Sequence, residues 1–530
     1  MLIIFSGVAL FLFTGSALGK VSTNVPLDDF AYRDLDKLIA QGLIRSDLSA
    51  TRPLSRLEMA RLVHEARLRW QELSQRERDR VVTIPEILAR LESGFREELR
   101  EVTGSGEMVS TFLKPVERVR IHYRYQDNQH SVFNNEGLNY YDGGNAVADL
   151  TMRARIASNL GLFAQPRFIY RENRKNLMDV KGNEVDETDI EFHTYYGKLD
   201  VKNIEIQFGA DSLWWTPSYH GSLIMSNNAE PFKMVKISNP LPVTLPSFLG
   251  HLGLLKANLV FTNLDSNRLD PKPAQERLVT DRNEPYFFGL HLDFKPRPWL
   301  ELGFNYITIY GHERGGSIGI ADHLRMMFFN TATEGEVSGN SEASVFFLIR
   351  WYNFSRVLAL AETLSFYGEW GAEDMAVPPD DRAFQLGLLF GDLLKWEGRL
   401  QLRLEYTNTT PLRNKPASSV WYTHTNYPAT YEGRVFGHHA GSNAEDIFAR
   451  LTLLANPALE LGFQADYERH GTSLETEERL LQGQIDAHYR LRRNFSIFGS
   501  LGMEQAKNVN FARGASEDRA FLSVLANYSF

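Results

Sequence analysis

The residues best equipped for chemistry in this sequence lie together in the stretch DSLWWTPSYHGSLIMSNNAEPFK, residues 211–233. The stretch combines flat aromatic faces with amide and hydroxyl groups, which is the chemistry that holds sugar rings. An alternative is that the paired tryptophans belong to an aromatic girdle at a membrane interface and that the polar residues cap a turn. The candidate carbohydrate-binding residues in this stretch are Trp214, Trp215, Tyr219, His220, Ser226, Asn227 and Asn228.

A second candidate group is the histidine pair in GHHAGSNAEDIFARL, residues 437–451. His438 and His439 precede Asp446, so a metal centre has to be weighed. Adjacent histidines point to opposite sides of an extended strand, and the spacing fixes no third ligand. We therefore predict no metal and no cofactor, and we assign the two histidines a hydrogen-bonding or sugar-contacting role in the loop before strand sixteen.

Enzyme chemistry finds little support in the rest of the sequence. The absence of cysteine excludes thiolate nucleophiles, thiolate metal ligands and disulfides. The 14 histidines form no Ser/His/Asp order that stands out, and the many carboxylates single out no glycosidase pair. We therefore predict that the protein is not an enzyme. The net charge of −9 also argues against a nucleic-acid partner.

The elements that position these residues can be inferred from the last stretch of the chain, RAFLSVLANYSF, residues 519–530. Its apolar and polar side chains alternate at period two, and it ends on an aromatic residue. This pattern is typical of the closing strand of a transmembrane β-barrel, with Tyr528 and Phe530 as the barrel-assembly signal. The alternative is an edge strand of a soluble β-sandwich.

The same alternation recurs from about residue 116 onward. In RLQLRLEY, residues 399–406, the leucines share one face while Arg403 and Glu405 share the other, as expected between lipid and a lumen. Short turns alternate with long polar loops, which is the pattern of outer-membrane barrels. We predict a transmembrane antiparallel β-barrel of about 18 strands over residues 106–530.

The N-terminal part of the chain differs from the rest. Residues 1–19 form an apolar stretch that ends on small residues, so we predict a secretory signal peptide cut before Lys20. No later stretch holds about twenty consecutive apolar residues, so any membrane span must be built from strands. Residues 20–105 are predicted to form a small α-helical periplasmic domain, in which Ser55 starts a helix in a capping box with Glu58.

Part of this helical domain resembles a single S-layer-homology repeat. The resemblance rests on Asp34, on GLI at residues 42–44 and on PLSRLEMA at residues 53–60. It implies attachment to peptidoglycan, although such modules usually act in sets of three. The alternative, which we favour, is a small helical domain docked under the barrel.

Three motifs in the barrel resemble the Wzi-type capsule-assembly outer-membrane proteins. They are residues 213–232, WYTHTNY at residues 421–427, and GHHAGSNAEDIFARL at residues 437–451. The resemblance implies an eighteen-stranded barrel in the cell outer membrane that acts as a surface lectin without enzymatic turnover. Its implied partners are outer-membrane lipid, the barrel-assembly machinery, and an exported capsular or related surface polysaccharide that it attaches to the cell surface.

An outer-membrane porin or substrate-specific channel is the alternative function, because about eighteen strands can enclose an aqueous lumen. The residues predicted to face the lumen are mixed in charge, and they suit either an open pore or a barrel filled by paired charges. These residues include Arg153, Arg155, Arg403 and Glu405.

Overall fold

The structure is a computed structural model that describes residues 21–79, 81–106, 111–128, 133–172, 184–280, 284–312, 318–329, 337–373, 381–411 and 420–530. The predicted signal peptide, residues 1–19, lies outside these ranges. No helix in the described part of the chain is both long enough and apolar enough to cross a membrane.

Eighteen antiparallel strands form one closed barrel, in which each strand pairs with its neighbours in the chain and the last pairs with the first. At this seam Tyr528 lies opposite Val119. The predicted barrel and its strand number are confirmed. The strands are β1 (Phe112–Gln126), β2 (Gly143–Ile156), β3 (Leu160–Arg171), β4 (Thr188–Val201), β5 (Ile204–Asp211), β6 (Phe232–Ser238), β7 (Leu254–Asn263), β8 (Tyr286–Arg297), β9 (Leu300–His312), β10 (Val337–Tyr352), β11 (Ala361–Glu373), β12 (Asp381–Leu393), β13 (Leu400–Asn408), β14 (Ala444–Asn456), β15 (Leu459–His470), β16 (Glu478–Arg492), β17 (Phe495–Lys507) and β18 (Ser516–Ser529).

Several short elements lie outside this ring. A two-residue strand flanks β7, and two hairpins and one helix lie in the long loops. The short elements are strand Val243–Thr244, the hairpins Asn267–Asp270 with Arg277–Thr280 and Thr430–Tyr431 with Arg434–Val435, helix Ile320–Phe329, and the 3₁₀ turns Ser247–Leu252, Phe354–Arg356 and Val509–Phe511.

The strands place apolar side chains outside, as their alternation predicts. On β18, Leu522 and Val524 are exposed on the outer surface, whereas Phe521 and Ser523 are buried on the lumen side. The final residue, Phe530, is 72% exposed. An exposed apolar band on a closed barrel needs lipid as its solvent, so the barrel is of the membrane-spanning type.

Short turns and long loops alternate around the barrel, as predicted. The turn between β4 and β5 takes two residues, 202–203, whereas the loop between β13 and β14 runs from residue 409 to residue 443. This long loop holds His438 and His439. Their predicted position before strand sixteen is therefore wrong, because the loop precedes the fourteenth strand.

Five helices lie in the described part of the N-terminal segment, residues 21–79 and 81–106. As predicted, the Ser55 side chain caps a helix by accepting from the backbone N–H of Glu58 at 3.1 Å, but Glu58 bonds Arg61 instead of completing a capping box. The last two helices of the segment are separated at Phe95, whose side chain is buried in the helical core. The helices are α1 (Ala31–Ala40), α2 (Arg56–Glu72), α3 (Gln75–Arg78), α4 (Ile84–Gly94) and α5 (Arg96–Val102).

This helical domain closes the end of the barrel at which the short turns lie. Asp34 pairs with Arg490 at 3.1 Å and Asp47 with Arg350 at 2.7 Å, so acidic groups of the domain compensate charges of the barrel wall. The connection between α1 and α2 also reaches into the lumen, where Thr51 donates to Asp293 at 2.9 Å. The domain is thus inserted into the barrel and is more than a cap docked under it.

Candidate functional site

From the opposite end, two long loops fill the lumen, and we call residues 212–231 and 420–443 together the loop plug. Carboxylates of the barrel wall hold its backbone. Glu405 accepts from the backbone N–H groups of Tyr219 and His220, both at 2.9 Å, and Glu369 accepts from that of Leu223 at 2.9 Å. Buried backbone groups need such partners, so inward-facing acids allow a loop to lie inside the barrel.

The two loops of the plug are also bonded to each other. The backbone N–H of Ser226 donates to the carbonyl of Phe436 at 2.7 Å, and the Asn228 amide donates to that of Val435 at 2.9 Å. The Tyr422 hydroxyl donates to the carbonyl of Leu223 at 2.7 Å. The backbone N–H of His438 donates to the Tyr422 hydroxyl at 2.8 Å, so three sequence motifs that are far apart in the chain form one packed unit.

Both tryptophans of the first motif are buried inside the barrel. Trp214 forms an antiparallel bridge with Arg52 of the helical domain, so material from the two ends meets in the lumen. Trp215 is fully buried and stacks on His291. A Cβ placed on Gly289 would come within 2.9 Å of the Trp215 ring, which shows how closely the wall packs there. The girdle interpretation is wrong for both residues.

The predicted histidines of the two loops meet. The ring centroids of His220 and His439 are 4.4 Å apart, and the rings of His438 and His439 stack at 4.4 Å. Both neighbouring rings reach one cluster because the pair lies in a loop and not in an extended strand. The argument from strand geometry that separated His438 from His439 is therefore corrected.

Carboxylates from two strands complete this group. We call His220, His438, His439, Asp446, Asp466 and Glu468 the histidine–carboxylate cluster. Sequence analysis missed Asp466 and Glu468. The available signal was the alternation of Asp466, Glu468 and His470 on one face of β15, together with the register that places Asp446 opposite Glu468.

The loop histidines respond differently to this environment. Burial lowers the pKa of His438 well below its usual value, and the neighbouring His439 and His220 lower it further. Burial would also lower the pKa of His220, but Asp466 and Asp446 raise it above 6.5. The two loop histidines therefore differ, because neighbouring carboxylates favour the charged form of His220, whereas burial favours the neutral form of His438.

The remaining candidates lie at the junction with the loop between β1 and β2. Asn227 accepts from the backbone N–H of Glu136 through its own backbone carbonyl at 2.7 Å. Asn134 donates through its amide nitrogen to the carbonyl of His220 at 2.6 Å. The amide oxygens of Asn134 and Asn227 are buried and make no hydrogen bond within the described residues. Nearby, half-buried Phe133 stacks on His439 at 4.3 Å.

A closed barrel with an apolar outer surface, filled from both ends, defines a plugged outer-membrane β-barrel protein. The chain belongs to the capsule assembly protein Wzi family, whose model matches residues 121–520. This confirms the family resemblance seen in the sequence. The fold is similar to that of Wzi from Escherichia coli, an outer-membrane protein involved in group 1 capsule assembly and described as a carbohydrate-binding β-barrel.

That similarity has a TM-score of 0.69 at 17% sequence identity and covers 97% of this chain and 99% of that chain. OccAB4 of Acinetobacter baumannii gives a TM-score of 0.46 at 10% identity, covering 78% of this chain and 98% of that one. OpdQ of Pseudomonas aeruginosa gives 0.45 at 10% identity, covering 78% and 96%. No curated protein matches this chain in sequence.

Proposed function

We propose that this barrel binds an exported capsular or related surface polysaccharide and attaches it to the cell surface, without enzymatic turnover. The observation that carries the proposal is the filling of the lumen from both ends, because a plugged barrel offers a platform of loops instead of a channel. Similarity to E. coli Wzi, which is described as carbohydrate-binding, supports the same function. The helical domain then lies in the periplasm, where contact with peptidoglycan is a further proposal.

The contact with sugar is proposed at the junction of the plug with the loop between β1 and β2. Asn134 and Asn227 each carry a buried amide oxygen without a hydrogen bond among the described residues, and such oxygens accept from sugar hydroxyls. Phe133 supplies an aromatic face beside them. Among the other candidates, buried Trp214 and Trp215 support the plug by packing, and their direct contact with sugar stays a prediction.

Binding of the purified protein to the surface polysaccharide of the producing cells tests this function. We expect Asn227→Ala and Asn134→Ala to weaken binding by about tenfold, because each removes about one hydrogen-bond acceptor worth roughly 1–1.5 kcal/mol. Asn426→Ala is the matched control, because this asparagine is exposed in the loop plug and its carbonyl accepts from Arg268 of the loop between β7 and β8. Undiminished binding by both variants would contradict the proposed amide site. If the wild type bound no polysaccharide, the proposed function itself would be wrong.

Conductance separates this function from the alternative of a porin. The described lumen is occupied by the helical domain and by the loop plug, whose segments meet where Arg52 pairs with Trp214. We expect the protein in planar bilayers to conduct far less than an open barrel of equal strand number. A large and steady conductance would favour the channel instead.

A further inference from the structure

We propose that the histidine–carboxylate cluster binds one divalent transition-metal ion, with Zn²⁺ as the first candidate. The ligands are His220 from the first loop of the plug, His439 from the second, Asp446 from β14 and Asp466 from β15. Imidazole and carboxylate are both common ligands of Zn²⁺, and four of them make a closed structural site. This inference stands apart from the proposed carbohydrate binding.

The distances between the ligand atoms suit one small ion. His220 Nε2 lies 3.0 Å from Asp466 Oδ2 and 3.6 Å from Asp446 Oδ2, and His439 Nε2 lies 3.4 Å from the same Asp446 oxygen. Two atoms that bind a tetrahedral Zn²⁺ at about 2.0–2.1 Å lie about 3.3–3.4 Å from each other. The ligand atoms of His220, His439 and Asp466 all lie within 4.8 Å of one another.

The key polar atoms of this cluster have no other use among the described residues. Neither carboxylate oxygen of Asp446 and neither ring nitrogen of His439 makes a hydrogen bond there. Their side chains are only 2% and 1% exposed. Buried polar atoms are normally bonded, and leaving several of them unpaired in one place is costly unless a ligand joins them.

The charge of the cluster points to a cation. Asp446, Asp466 and Glu468 are buried together, and no lysine or arginine of the described residues forms an ion pair with any of them. Burying several carboxylates without compensation is strongly unfavourable. A divalent ion would balance most of this charge and would be held on all sides by the groups that now face each other.

The surroundings decide which residues are ligands and which support them. His470 Nε2 lies 2.6 Å from one oxygen of Glu468, whose other oxygen is 3.5 Å from His439 Nε2. Glu468 is thereby held beside the ion as an outer partner, as is common around metal ligands. His438 accepts from the backbone N–H of Ala440 at 3.3 Å and its Nε2 lies 3.1 Å from the Thr407 hydroxyl, so it flanks the site.

A metal ion here would tie both loops of the plug to two strands of the barrel wall. The experiment uses the full-length protein in detergent, freed of metal with a chelator and then supplied with Zn²⁺ or Co²⁺. We expect about one Zn²⁺ per chain by elemental analysis, a visible absorption band with Co²⁺, and an unfolding temperature several degrees higher with Zn²⁺.

His439→Ala and Asp446→Asn should abolish the Co²⁺ band and the stabilisation by Zn²⁺. The matched control is His424→Ala, because this histidine lies in the same plug, where its Nδ1 accepts from the backbone N–H groups of Asn426 and Tyr427, and it is not one of the proposed ligands. Heat-modifiable migration on gels confirms that each variant is folded. Wild-type protein that binds no Zn²⁺ and is not stabilised by it would overturn the proposal, as would variants that bind like the wild type.

Discussion

The two ends of the lumen bury charge in opposite ways. At the end closed by the helical domain, Asp34 lies 3.1–3.3 Å from the cationic groups of Lys37, Arg90 and Arg490. Burial alone would raise the pKa of Asp34, but these three groups hold it well below its usual value. The buried acids Asp47 and Glu98 of the same domain likewise have cationic partners, Arg350 at 2.7 Å and Arg153 at 3.0 Å, so these charges are compensated within the chain.

At the end closed by the loop plug, the buried acids of the histidine–carboxylate cluster face imidazoles. Asp446 has His220, His438 and His439 within 3.4–3.6 Å, none of which is a permanent cation. At both ends, inward-facing carboxylates hold a loop or domain inside the barrel. Their charge can be compensated by arginines of the chain, as at the first end, or by a bound ligand, as we propose for the second. The ion pairs at the first end stabilise the fold directly, whereas the histidine–carboxylate cluster would make the stability of the plug depend on a bound ion.

Removing the ion pairs of Asp34 should give the largest loss in the free energy of unfolding. Asp34→Asn leaves three cationic groups short of their shared acid, and we expect a loss near the upper end of about 3–5 kcal/mol in the free energy of unfolding. Asp36→Asn is the control, since Asp36 is partly exposed and pairs with Arg52, so about 1 kcal/mol or less is expected. Denaturant unfolding in detergent measures the stability of both variants. Equal losses would contradict the conclusion that Asp34 compensates three cationic groups at once.

The loop plug can be tested by its packing. Trp215→Ala should cost about 3–4 kcal/mol, because the side chain is fully buried against His291. Trp299→Ala is the control, since Trp299 is 48% exposed at a turn and should change stability little. If Trp215→Ala kept full stability and lost only polysaccharide binding, the tryptophan would be a sugar contact and not a part of the plug's core.

The strands of the barrel could be predicted from the sequence, whereas the packing inside the lumen could not. Period-two alternation and turn residues are local signals, so the strands could be predicted. The lumen depends on contacts such as Glu405 with the backbone of His220, which join residues 185 positions apart. No periodicity encodes such a contact, and for the same reason Asp466 and Glu468 stayed hidden until strand register placed them beside Asp446.

The pH dependence of stability should reveal the ion pairs between the helical domain and the barrel wall. Burial alone would raise the pKa of Glu98, but Arg56 and Arg153 lower it to about 2 from 4.5. A lowered folded-state pKa gives stability that is present above pH 4.5 and is lost as the pH falls toward 2. For this group alone we expect a loss of about 2 kcal/mol between pH 5 and pH 3.

Glu98→Gln isolates this contribution. We expect the variant to be less stable than the wild type at pH 7, and this difference should shrink by about 2 kcal/mol between pH 5 and pH 3. Denaturant midpoints at matched pH values measure the gap. A gap that stays constant across this range would mean that Glu98 is not the acid that the two arginines hold ionised.

The smallest effect on stability is expected at the seam, where the barrel closes between the two ends. The Phe530 side chain is 72% exposed on the outside, and its backbone N–H donates to the carbonyl of Glu117 at 2.9 Å. Phe530→Ala keeps that bond, so the free energy of unfolding should change by less than about 0.5 kcal/mol. The amount assembled in the outer membrane should nevertheless fall severalfold with export intact, if the residue is the assembly signal.

Phe521→Ala is the counterpart on the same strand, because this ring faces the lumen with the Arg124 guanidinium 3.9 Å away. It should lower stability and leave assembly normal, and a reversal of the two outcomes would show that the outer face of β18 serves folding instead of recognition.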